Sequence, residues 1–204
     1  MKTAGLSSLV FGSQAASAAP LTEKQKLAKI ALNSWPIRQI FKSRYTDPGM
    51  VSPELKKKYG EITMLDFPQF TKDTFPGVTR MDIFSGLFGE FSDDSMFIRK
   101  PGQSNGEGPA YEFDPHTPTG KAWLDTLANT MVKTGTKCQH ISNSAPRDLA
   151  EHDAAKRKAG VAVAKEWMDA GKTLGAVSMR VNSGGPGILP PASSGPHGYP
   201  QNEE

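Results

Sequence analysis

The stretch that most constrains this chain is Leu174-Gly175-Ala176-Val177-Ser178-Met179-Arg180-Val181-Asn182-Ser183-Gly184-Gly185. It reads as a short buried strand that follows a long helical pattern and breaks into a Gly-rich loop. Val177, Met179 and Val181 form one face of a period-2 pattern, and Ser178, Arg180 and Asn182 form the other. A parallel strand of an α/β sheet looks like this where it reaches a ligand-facing edge. The Gly-, Pro- and Ser-rich residues beyond it are expected to be a disordered tail over 186–204.

Working back from that strand, the same alternation recurs. Residues 27–33 read as a first strand, with Ala28, Ile30 and Leu32 on its apolar face. A connection over 36–60 follows, with a short helix at 37–42. Residues 62–75 read as an amphipathic helix or a pair of turns, with Asp66 or Phe67 as a helix cap and Pro68 in the first turn. Residues 78–84 are the second strand, and 85–118 a long loop without periodicity. Residues 119–133 are a helix with Trp123, Leu124, Leu127, Met131 and Val132 on one face, ended by Gly135. Residues 137–143 are the third strand. A helix over 151–174 carries an apolar stripe of Ala154, Val161, Ala164, Met168 and Leu174, with Trp167 beside it.

The order β-α-β-α-β-α-β means parallel strands joined by right-handed crossovers. Two α/β architectures fit: part of a (β/α)8 barrel, or an open doubly wound sheet. The first strand-to-helix junction, Asn33-Ser34-Trp35-Pro36, holds neither Gly-x-Gly-x-x-Gly nor a P-loop pattern, which argues against a nucleotide-binding open sheet.

Bulk properties narrow the class. The 204 residues suffice for a real core, and +3 net charge is mild. No basic stripe interleaves with aromatics, so no nucleic-acid partner is expected. No apolar run is long enough to span a bilayer, so no membrane partner is expected either. Cys138 is the single cysteine, which excludes an internal disulfide and a cysteine metal cluster, and it reads as a small core residue. Residues 1–20 end in Ala16-Ser17-Ala18-Ala19-Pro20, an A-x-A pattern expected of a bacterial export signal. Lys2-Thr3-Ala4-Gly5-Leu6 looks like the part of a twin-arginine signal that follows its arginine pair, although no Arg-Arg is present. The alternative is a disordered Ala/Ser leader.

Residues 27–35, the segment ITMLDFPQFTKDTF at 62–75, and 77–84 resemble the opening of xylose-isomerase-like TIM-barrel proteins, the sugar phosphate isomerases/epimerases. The block from Asp148-Leu149-Ala150 to Arg180-Val181-Asn182-Ser183-Gly184-Gly185 resembles the third helix and fourth strand of the same family. The resemblance implies a partial (β/α)8 barrel of about four βα units over 27–185, with its site at the carboxyl ends of the strands. It implies a sugar or sugar phosphate as partner, and aldose–ketose isomerisation or epimerisation by metal-assisted proton or hydride transfer. Full-length members hold a divalent metal (Mg, Mn or Zn) on Glu, Asp and His residues, mostly of the second half. No such ligand transfers to a position here, so this chain alone is expected to bind none and to be a truncated homologue. Four strands do not close a barrel, so unpaired edges are expected to drive a homo-oligomer or aggregation.

Asn33, Asp82, His140, Arg180 and Asn182 lie at or near strand ends and are the candidate substrate-binding residues. Each also has a plain structural alternative: closing a strand, capping a loop, or, for Arg180, pairing with a neighbouring Asp. The rival function is a noncatalytic carbohydrate- or partner-binding remnant.

Overall fold

The structure is a computed structural model, and it describes residues 20–45, 49–105, 108–143, 145–146, 149–150 and 153–182. The leader and the tail expected from the sequence lie outside these residues. The chain is α/β, built on a four-stranded, wholly parallel sheet. Its strands are β1 (Ala31–Asn33), β2 (Arg80–Phe84), β5 (Lys137–Ser142) and β6 (Ser178–Met179), in that spatial order. A separate antiparallel hairpin, β3 (Phe97–Asn105) and β4 (Gly108–Phe113), stands between β2 and the helix that leads to β5.

Spatial order therefore follows chain order without a reversal. With one crossover hand throughout, the connecting helices gather on one face of the sheet. That face is the core: Met81 and Ile83 of β2 and Cys138 and Ile141 of β5 pack with Phe67, Leu127, Met131 and Trp167 from the helices. The centre of the packing is aromatic. Phe88 and Phe113 each stack near Trp123 and Trp167, with ring centroids 5.3–6.1 Å apart.

The helices form where local chemistry starts and stops them. In α3 (Phe67–Thr74), Asp66 precedes the first turn and Pro68 lies within it, as the sequence indicates. In α4 (Pro118–Thr134), the Thr117 hydroxyl accepts the Gly120 amide at 2.9 Å, Pro118 supplies a preset φ, and Gly135 ends the helix at φ 71°. In α5 (Ala154–Thr173), the Asp153 carboxylate accepts the amides of Ala155 and Lys156 at 2.7 and 3.1 Å. These two bonds, Lys156 first, lower the Asp153 pKa.

Several expectations are corrected. Residues 23–27 (Glu23–Leu27) are a helical turn, α1, capped by Thr22, and the first strand is only Ala31–Asn33. The short helix expected at 37–42 is a 3-10 helix over Trp35–Ile40. The connection that follows holds an unexpected helix, α2 (Pro53–Tyr59), capped by Ser52. The long loop over 85–118 contains the β3–β4 hairpin, whose Phe113 is buried in the aromatic cluster. On α5 the buried face is Gly160, Ala164, Trp167 and Ala170, while Val161 and Met168 are exposed. On α4, Val132 is 80% exposed and belongs to the outer face. The last strand is shortened to Ser178–Met179, and Val177, read as buried, is 72% exposed.

These burials set the scale of two substitutions. Trp167→Ala empties the core centre and should cost about 3–5 kcal/mol, a large share of a typical total of about 5–15 kcal/mol. Val132→Lys should change stability by no more than about 0.5 kcal/mol. Urea melts of both variants check the pair; a large loss at Val132 would contradict this placement of the α4 face.

Candidate functional site

The second face of the sheet is polar. On it, Asp82 of the central strand β2 is flanked by β1 and β5. Asn33 Nδ2 donates to Asp82 Oδ2 at 2.9 Å, and Ser142 Oγ donates to Asp82 Oδ1 at 2.7 Å. The three side chains sit at the carboxyl ends of three adjacent parallel strands, the end where α/β sheets place their ligands. One residue further, Ser34 is fully buried; its amide donates to the Asp82 carbonyl and its hydroxyl accepts the Phe84 amide at 2.8 Å.

The strand β5 reaches this arrangement through a bulge. Met81 lies opposite Cys138, but Asp82 lies opposite His140, so Gln139 is the extra residue. Strict alternation from the buried Cys138 would send Ser142 to the helix side. The bulge instead puts Ile141 in the core and leaves Ser142 facing Asp82. Lower on the same polar face, Arg80 Nη1 donates to Gln139 Oε1, and His140 Nδ1 shares a 2.9 Å hydrogen bond with Ser178 Oγ.

Beyond β6 the chain continues the ladder, with the Arg180 amide donating to the Ile141 carbonyl at 3.0 Å. Arg180 Nε donates to the Asn143 carbonyl at 2.8 Å, and Asn182 Nδ2 reaches the same oxygen at 3.3 Å. Asn143 is itself fully buried and bonds both backbone groups of Ala145. The loop after β5 is thus tied to the end of β6.

A cleft of about 410 Å³ opens here, lined by Asn33, Trp35, Tyr45, Met50, Phe84, Ser142 and Arg180. Its volume is that of a small-ligand site. Trp35 is 43% exposed and meets Phe84 edge-on at 4.7 Å, while the Arg38 guanidinium sits 4.4 Å from its ring centroid. A cleft of similar size at the opposite ends of the strands, between Arg80, Val132, Lys137 and Val177, holds the Arg80–Gln139 bond and no carboxylate.

Of the residues singled out from sequence, Asn33 and Arg180 line the cleft, and Asp82 holds Asn33 and Ser142 beneath it. His140 faces Ser178 further down the sheet, and Asn182 serves the Asn143 carbonyl. Asn33 also accepts the Trp35 amide at 2.7 Å, so it closes its strand and holds Asp82 at once. Ser142, Trp35 and Tyr45 were not anticipated. Ser142 is the last residue of its strand, and Trp35 is the first aromatic after β1; both positions were visible, but their faces were not.

Among the described residues no three His, Cys, Asp or Glu side chains converge. Asp82 accepts one hydrogen bond on each oxygen, and His140 uses Nδ1 toward Ser178. The described side chains therefore do not fit the divalent metal that the family resemblance implies. No described helix is long and apolar enough to cross a membrane. Set against protein-family models and against curated proteins, the sequence matches none.

Cys138 lies behind Asp82 on the helix side. Burial, and secondarily the Asp82 charge, pushes its thiol up to about 12 from 9.0. In the unfolded chain the thiol ionises first. Folding stability should therefore fall as pH rises from about 9 towards 12. A disulfide-exchange reagent at pH 8 should leave the folded thiol unmodified and react fully in denaturant. Prompt reaction of the native protein would contradict the burial.

Proposed function

We propose that the cleft at the carboxyl ends of β1, β2 and β5 binds a sugar or polyol. We further propose that the four parallel strands and their helices are a partial (β/α)8 barrel of the xylose-isomerase-like kind, a homologue of sugar isomerases and epimerases. The observation that carries the binding proposal is the Asn33–Asp82–Ser142 cluster beside the exposed ring of Trp35.

The chemistry suits a polyhydroxylated ligand. An ionised carboxylate offers about four lone-pair positions, and Asp82 has one bond to each oxygen. Acceptor capacity therefore remains for ligand hydroxyls. Asn33 keeps a second amide N–H, and Ser142, having donated its proton, can still accept. The exposed part of the Trp35 ring offers apolar surface to the C–H side of a sugar ring. These groups are fixed by contacts across strands, so their orientation is set before a ligand arrives.

Isomerisation needs a proton acceptor at the sugar, and the described lining of the cleft holds no carboxylate; Asp82 lies behind Asn33 and Ser142. A divalent metal would supply charge stabilisation on sugar oxygens, but the described residues do not assemble its ligands. The role assigned to this set of residues is therefore holding the sugar. In the barrel reading, the open edges at β1 and β6 pair with further strands, from a longer chain or from another copy. The noncatalytic carbohydrate-binding alternative is favoured by the same cluster taken alone.

Trp123 and Trp167 are buried at 6% and 2% exposure, so Trp35 is the solvent-reporting tryptophan. Titration with monosaccharides and polyols should change its emission saturably. Ser142→Ala should weaken that binding about tenfold, the loss of one well-placed hydrogen-bonding group. Unchanged emission across the sugar panel, or undiminished binding by the variant, would count against the proposal.

A further inference from the structure

Arg180 carries an inference that rests on the sugar-binding reading and narrows it to a ligand class. An arginine at a strand end usually neutralises a nearby carboxylate. Here the carboxylate on the same sheet face, Asp82, is bonded to Asn33 and Ser142 instead. The Arg180 side chain is anchored by one bond, from Nε to the Asn143 carbonyl at 2.8 Å. Among the described residues, neither of its terminal nitrogens has a hydrogen-bond or ion-pair partner. The guanidinium is therefore held in place by its inner nitrogen, and its outer edge is left for something else.

Arg180 is also a lining residue of the cleft, whose described lining holds no other cation. The remaining walls are the aromatic and apolar Trp35, Tyr45, Phe84 and Met50, with Asn33 and Ser142 as polar groups. A cation in such a partly enclosed site attracts an anion more strongly than it would in open water. The outer edge of a guanidinium offers two parallel N–H donors, which match the two oxygens of a carboxylate. A phosphate monoester carries close to two negative charges at neutral pH, and one guanidinium offsets only about half of that. The anchoring bond matters as well. It restrains the guanidinium at the Asn143 carbonyl, beside the cleft that Asn33 and Ser142 also line. We propose that the cleft takes a sugar acid, a polyol bearing a carboxylate, and that Arg180 is the residue that reads its charge.

The test compares glucuronate, glucose and glucose 6-phosphate by calorimetry on the full chain, with Trp35 emission as a second readout. Glucuronate should bind about tenfold more tightly than glucose, the scale of one charge-assisted contact, and the difference should shrink as salt rises. In Arg180→Met the preference for glucuronate over glucose should disappear, so that the ratio of the two affinities falls to about one. Arg180→Lys keeps the charge without the fork and should retain only part of the preference. Thermal melts of both variants separate lost recognition from lost folding. Equal binding of glucuronate and glucose would overturn this proposal while leaving the sugar site intact. Tightest binding of glucose 6-phosphate would overturn the carboxylate assignment. Failure of all three ligands would overturn the sugar-binding reading itself.

Discussion

The carboxyl end of the sheet depends on how Asp82 is satisfied. A carboxylate removed from water is costly unless hydrogen bonds replace those it gave up. Asp82 obtains them from the strand on each side, Asn33 of β1 and Ser142 of β5. The consequence is a register lock. A one-residue slip of either neighbour would carry its polar group to the helix side and leave the carboxylate unpaired. Ser34 adds a second stitch between β1 and β2, through both its amide and its hydroxyl. Three strands are thereby aligned where their connecting loops begin, and those loops bring Trp35 and Tyr45 to the cleft.

The bulge at Gln139 reconciles two demands on one strand. The core needs Cys138 and Ile141, which are three residues apart, on the same side. Asp82 needs Ser142 on the other side. A strand of strict period two cannot meet both. An extra residue shifts the phase, at the cost of locally broken pairing. The site and the core are thus built from the same local irregularity, and Gln139 is not idle in it, since it accepts from Arg80.

What the sequence made legible follows from how local each signal is. Asp66 and Pro68 at the start of α3 and the glycine after α4 act within a few residues, and they stand where the pattern puts them. On α5 the expected stripe holds in part: Ala164 and Leu174 are buried, whereas Val161 and Met168 are exposed and Gly160 is buried instead. Close packing against the sheet favours the small residues, and Trp167 fills the space that remains. The hairpin was hidden for a related reason. Its first strand includes Pro101 and Gly102 and shows no alternation; its anchor is the burial of Phe113 against Phe88, Trp123 and Trp167, which are distant in sequence. In the site, Asn33, Asp82 and Arg180 were recoverable as strand ends. Ser142 was not, because the bulge that turns it toward Asp82 leaves no mark in the residue pattern.

The polar face also bears on which α/β architecture the sheet belongs to. In a doubly wound sheet, helices cover both faces, and the strands read as nearly continuous apolar runs. Here Met81, Ile83, Cys138 and Ile141 face helices, whereas Arg80, Asp82, His140 and Ser178 face away and bond one another or their neighbours across strands. A second helical layer packed there would bury Arg80 and Asp82 against apolar stripes, which is unfavourable for charges. Within the described sheet the strand order never reverses. At the carboxyl end of this face the polar groups Asn33, Ser142 and Arg180 share the cleft with the apolar and aromatic Met50, Phe84, Trp35 and Tyr45.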